Sequence, residues 1–119
     1  MALIKPKPVP ICETLPLKHK PTEAEIFVVA ETFKLLGDPT RLKILLACLE
    51  KPMAVGDIAQ SIDASQSLVS HHLRLLRAAR LVKGTRQSKQ VYYEADDHHI
   101  RHIVSDMIAH AGENDADTE

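Results

Sequence analysis

Apolar side chains recur three and four residues apart in five stretches of this chain, and the residues between them are of the kinds that start and stop helices. The first stretch follows Thr22, which forms a capping box with Glu25. It carries Ile26, Val29, Ala30, Phe33 and Leu36 before Gly37 ends it. Asp38 caps a second helix with Pro39 at its first position. Leu42, Ile44, Leu45, Leu46 and Leu49 make that helix apolar on most faces, so burial is expected, with Cys48 as a small core residue. Lys51 and Pro52 interrupt the pattern. A short helix follows from Val55 to Ile62 with Ile58, Ala59 and Ile62 inward. After a tight turn at Asp63 and Ala64, a longer helix capped by Ser65 bears Leu68, Val69, Leu73, Leu75 and Leu76.

Two helices joined by so short a turn, the second polar at its start and basic on one face, read as a helix-turn-helix. After Arg80 the period changes. Leu81 to Lys83 and Val91 to Tyr93 read as strands around a polar loop from Gly84 to Lys89, which is the hairpin called a wing. The last helix begins near Asp96 or Asp97, carries Ile100, Ile103, Val104, Met107, Ile108 and Ala111, and is expected to end at Gly112. Its apolar stripe is large for so small a domain and calls for a partner. The expected fold is therefore mainly α with a β-hairpin wing, a winged helix-turn-helix made dimeric through its N- and C-terminal helices.

Composition narrows the function classes. A chain of 119 residues holds one domain. It has no apolar run near the roughly 18 residues of a membrane span and no signal-peptide pattern. Cys12 and Cys48 cannot make a disulfide framework, so the cytoplasm is the expected compartment. Residues 1–21 hold Pro6, Pro8, Pro10, Pro16 and Pro21 among four lysines and are expected to be a flexible arm. The domain proper is read as residues 22–112, and residues 113–119 as an acidic tail.

The net charge of −1 conceals an uneven distribution. Between Ser65 and Tyr93 there is no Asp or Glu, while Arg74, Arg77, Arg80, Lys83, Arg86 and Lys89 are all basic, the pattern of a nucleic-acid binder. A recognition helix places its first turns in the major groove. This makes Ser65, Gln66, Ser67, Ser70, His71 and Arg74 the candidates for base or phosphate contact, with Arg86 and Lys89 of the hairpin on the backbone or minor groove.

A second constellation lies on the last helix. His99 and His110 are eleven residues apart, close to three full turns, so they share a face, and Glu113 neighbours His110 on it. Asp97 precedes His99 at the helix start. Such nitrogen and oxygen donors suit zinc, and also cobalt or nickel. Eleven residues of helix span about 16 Å whereas zinc–ligand bonds are about 2 Å, so one chain cannot close the site. Two copies of the helix, antiparallel about a two-fold axis near Ser105, bring Asp97 and His99 of one chain to the other chain's His110 and Glu113. His98 and His102 fit less well and are read as surface or supporting residues.

On these residues the chain resembles the ArsR/SmtB family of metal-responsive winged-helix repressors, over about Glu23 to Glu113. The resemblance rests on Leu36-Gly37-Asp38-Pro39-Thr40-Arg41, Val55-Gly56-Asp57-Ile58-Ala59, Ser70-His71-His72-Leu73 and Val91-Tyr92-Tyr93. It rests also on Asp97, His99, His110 and Glu113 at the spacing of the family's C-terminal-helix zinc site. It implies a repressor that holds operator DNA as a metal-free homodimer and leaves it when metal binds. It implies no enzyme, no membrane and no small organic substrate. Some relatives have a second, thiolate-based site, but here Ala54 stands where they carry Cys, leaving Cys12, His19 and Asp57 as a fragment expected to bind metal weakly at most. The alternative is a constitutive DNA-binding regulator in which zinc only staples the dimer.

Overall fold

The structure is a computed structural model that describes residues 17–118, with side chains as far as Glu113. The elements in chain order are α1 (Glu23–Leu36), α2 (Pro39–Ala47), β1 (Met53–Ala54), α3 (Val55–Ile62), α4 (Gln66–Ala78), β2 (Val82–Gln87), β3 (Gln90–Ala95) and α5 (His98–Thr118). The chain divides into two compact units, residues 1–30 and residues 31–119. The expected N-terminal arm, including Cys12, lies almost wholly outside the described residues.

In the first unit the capping box forms as its spacing requires. The Thr22 N–H donates to Glu25 Oε1 at 2.9 Å, and the Glu25 N–H to Thr22 Oγ1 at 3.1 Å. That backbone donor, and next the His19 ring at 2.9 Å, hold the Glu25 carboxyl below its usual range. Along α1 as a whole no residue is buried. Ile26, Phe27, Val28, Val29 and Phe33 are each half or more exposed.

The second unit holds the core. Ile44, Leu45 and Cys48 from α2 and its C-terminus meet Ile58 and Ala59 of α3 and Val69, Leu73 and Leu76 of α4. Leu81, Val82, Ala95 and Val104 close the cluster. The α2 cap is the expected one, with the Arg41 N–H donating to Asp38 Oδ2 at 3.0 Å. Cys48 is fully buried, and loss of hydration pushes its thiol up to about 11, so it is inert packing as its sequence context implies. Asp63 turns the chain between α3 and α4 with a left-handed φ of 57°, and the Leu68 N–H donates to Ser65 Oγ at 3.1 Å to cap α4. Leu68 itself, read as part of the inward stripe, is exposed.

The wing is longer than its apolar residues indicate. Strands β2 and β3 pair antiparallel from Val82↔Ala95 to Gln87↔Gln90, leaving only Ser88 and Lys89 in the turn, where Ser88 takes φ 58°. The expected loop from Gly84 to Lys89 is therefore mostly strand. A wing faces water on both sides near its tip, so polar side chains there do not oppose pairing. Strand β1, at two residues too short to show a period, adds to β3 through Met53↔Tyr93 and Ala54↔Tyr92, giving the order β1-β3-β2.

The terminal helix does not stop at Gly112 but runs on to Thr118. Gly112 lacks the positive φ of a left-handed helix cap and continues the helix. In a helix interior it only weakens the helix by about 1 kcal/mol relative to alanine.

Candidate DNA-reading face and metal ligands

Helix α4 has two faces set by its period. Val69, His72, Leu73 and Leu76 point into the core, whereas Gln66, Ser67, His71 and Arg74 are exposed and Ser70 is half-buried between the two. Ser65 spends its hydroxyl on the cap, so its contribution to DNA is limited to what the remaining lone pair and proton can make. The Gln66 amide lies close to the first turn of α3, since a Cβ added at Gly56 would meet Gln66 Nε2 at 3.3 Å. A cleft of about 460 Å³ opens there, lined in part by Asp57, Gln66, Ser70, Gln90 and Tyr93. Arg86 is carried by β2 and Lys89 by the turn, both exposed. All eight candidate DNA contacts thus lie on α4, its cap or the wing, and none is fully buried.

One polar residue of this unit escaped the reading of the sequence. His72 is the one buried polar side chain among the described residues, only 9% exposed, and its Nδ1 accepts from Arg41 Nε–H at 3.2 Å. The signal was present, because positions 69, 72, 73 and 76 fall on one helical face and three of them are apolar. Burial first, and the Arg41 charge second, hold the His72 pKa below its ordinary 6.5.

The metal candidates occupy two stations on α5. At its start, Asp97 Oδ1 accepts from the Ile100 N–H at 3.1 Å, and Oδ2 lies 3.6 Å from His99 Nδ1. The backbone donor at Ile100 foremost, and then His99, keep the Asp97 carboxyl below its usual range. His98 packs its ring against that of His99 with centres 4.1 Å apart and faces His102 edge-on at 5.9 Å. His110 and Glu113 are exposed about 16 Å further along the helix, as its rise dictates. The structure thus brings Asp97 to His99 and leaves His110 and Glu113 apart from them. Among the described residues no three His, Cys, Asp or Glu side chains of one chain stand close enough to share an ion. His19, a member of the fragmentary second set, is taken up by Glu25.

Helix-turn-helix, wing and exposed basic face define a winged helix-turn-helix protein. Residues 38–83 match the family described as bacterial regulatory protein, arsR family. Over 104 residues the chain is 39% identical to the HTH-type transcriptional repressor SmtB of Mycobacterium tuberculosis, covering 87% of this chain and 75% of that one. It is 41% identical over 86 residues, 71% of either chain, to a cadmium resistance transcriptional regulatory protein, a CadC homolog, of Staphylococcus aureus. The fold is similar to that of a homodimeric winged helix-turn-helix DNA-binding domain from Mycobacterium bovis, with a TM-score of 0.74 at 23% identity over 82% of this chain and 93% of that one. The chain belongs to the arsR family of bacterial regulatory proteins, and it is a transcriptional regulator rather than an enzyme. No helix of the described residues is long and apolar enough to cross a membrane.

Proposed function

We propose that this chain is the subunit of a homodimeric, metal-sensing repressor of the cytoplasm. It holds a palindromic operator when metal-free and leaves it when a divalent ion, zinc foremost, binds between the subunits. The observation that carries this is the division of ligand-type side chains into two exposed pairs on one helix, Asp97 with His99 and, about three turns on, His110 with Glu113. Each pair supplies half of a four-ligand set. Asp97 and His99 are completed by His110 of the partner subunit and Glu113 of the partner subunit, with the two-fold axis generating a second identical site. Two imidazole nitrogens and two carboxylates fit zinc and also accept cobalt or nickel.

When bound, the ion supplies bonds that fix how the two terminal helices cross. The protein residues do the rest. Asp97, held by the Ile100 N–H, orients the His99 ring toward the site. Ile103, Met107 and Ile108, exposed on α5, give the second copy an apolar surface to bury, and α1 offers more. Ser65, Gln66, Ser67, Ser70, His71 and Arg74 face the major groove, while Arg86 and Lys89 meet the backbone or minor groove. The relatives named as a repressor and as a cadmium resistance regulator support repression and a link to metal.

Fluorescence anisotropy on DNA from upstream of the protein's own gene tests this, at one salt concentration, with chelator and then stepwise zinc. The metal-free dimer is expected to bind tightly, and one zinc per protomer to weaken binding about ten- to a hundredfold. His110→Ala keeps DNA binding and loses the release. A zinc-indifferent affinity in the wild type makes zinc a dimer staple or passes the signal to cobalt or nickel, which are titrated next, and indifference to all three sinks the sensor.

A further inference from the structure

The segment that opens α2 and the middle of α4 meet at one hydrogen bond. Arg41 closes the segment that opens α2, and His72 lies in the middle of α4, 31 residues further along. Arg41 Nε–H donates to His72 Nδ1 at 3.2 Å, and Arg41 Nη1–H donates to the Leu35 carbonyl at 3.2 Å. The Arg41 backbone N–H is itself held by Asp38 Oδ2 at 3.0 Å, so the guanidinium extends from a fixed base. One side chain thereby joins the last turn of α1, the first turn of α2 and the centre of α4. Because Nδ1 accepts, the imidazole is neutral and carries its proton on Nε2.

The remaining seat of α4 is apolar, made by Val69, Leu73 and Leu76. Apolar contacts hold a helix at its depth but are non-directional, whereas a hydrogen bond weakens steeply with misalignment. To that apolar seat the Arg41–His72 bond adds a directional constraint on the rotation of α4 about its own axis. Side chains end about 5–6 Å from a helix axis, so a rotation of roughly 20° sweeps their tips by about 2 Å. That exceeds what a base-edge hydrogen bond tolerates. His71 is the neighbour in sequence, its ring centre 5.3 Å from that of His72, and it faces out where His72 faces in.

We propose that Arg41 and His72 are positioning residues for sequence recognition, an inference that rests on the DNA-reading role given above. The pair locks α4 in the rotation that brings Gln66, Ser67, His71 and Arg74 to base edges in register. Contacts to phosphate, which tolerate such movement, do not depend on it.

The test uses the full-length protein, anisotropy at one salt concentration, the upstream DNA and a scrambled duplex of equal length. His72→Asn places an acceptor where Nδ1 stood, His72→Phe fills the space without one, and Arg41→Lys keeps the charge but loses the fork. His72→Phe and Arg41→Lys are expected to lose about tenfold or more on the upstream DNA while binding the scrambled duplex within about twofold of wild type. His72→Asn is expected to recover most of the discrimination. Equal losses on both duplexes, or full discrimination by His72→Phe, overturn the proposal. Should His72→Phe not fold, long-range nitrogen–proton NMR decides. The wild type shows His72 protonated on Nε2 alone, Arg41→Lys shows both tautomers, and an unchanged tautomer with unchanged discrimination again overturns it. A folded wild type that does not distinguish the two duplexes refutes the DNA-reading role itself.

Discussion

At residue scale the chain divides into side chains whose work is local and side chains whose work is set by a distant partner. Thr22 with Glu25, Asp38 with Pro39, and Ser65 belong to the first kind, and each cap forms where the sequence places it, because both partners lie within four residues. His72 belongs to the second. Its residue type suggests a surface site, and only the packing of α2 against α4 supplies the Arg41 donor. This gives a pH prediction with a definite sign. The folded chain holds His72 neutral to a lower pH than the unfolded chain does. Below the ordinary 6.5, the unfolded chain takes up a proton that the folded chain refuses. Stability contributed by His72 is therefore complete above that pH and falls as the pH drops toward its lowered pKa. Urea midpoints at pH 7.5 and 5.5 are expected to differ more for wild type than for His72→Asn. Equal losses in the two proteins remove His72 as the cause.

At the scale of elements, helices were legible and the sheet was less so. α3 occupies the residues its period marks, Val55 to Ile62, because a 3.6-residue repeat needs only a turn or two to declare a face. The wing lost half its length in the sequence because exposed strands carry polar residues, and β1 was too short to register at all. Gly84 shows how tightly the wing is nonetheless packed. A Cβ there would stand 2.9 Å from Val91 Cγ1 and 3.1 Å from Tyr93 Cε1. Val91 is β-branched and stiff, so it cannot turn aside freely. Gly84→Ala is expected to destabilise the domain by about 1–3 kcal/mol in urea denaturation. A loss below roughly 0.5 kcal/mol, the range of ordinary surface changes, contradicts that packing.

At the scale of the molecule, the metal candidates were legible as types and spacing but not as a site, since one chain gathers only Asp97 and His99. Completing the set needs a symmetry operation, which no single-chain pattern contains. The second copy proposed above has a further use at α1, which has no buried residue and on which Ile26, Phe27, Val28, Val29 and Phe33 stand half or more exposed. If folding and pairing are one event, the thermal midpoint depends on protein concentration. Each tenfold increase is expected to raise it by a few degrees, about the shift that 1.4 kcal/mol produces in a domain of this size. Calorimetry over a hundredfold range of concentration checks this, and a constant midpoint shows that the monomer is stable alone.

The exposure of α1 reaches beyond the test tube. If the subunit completes its fold only on meeting its twin, it lives by encounter, and while alone it offers an apolar helix to every protease and chaperone. Scarce copies are then destroyed before they pair, and abundant ones persist. Quality control thus sets a floor on the regulator's census: a cell keeps enough of it to work in pairs, or effectively keeps none.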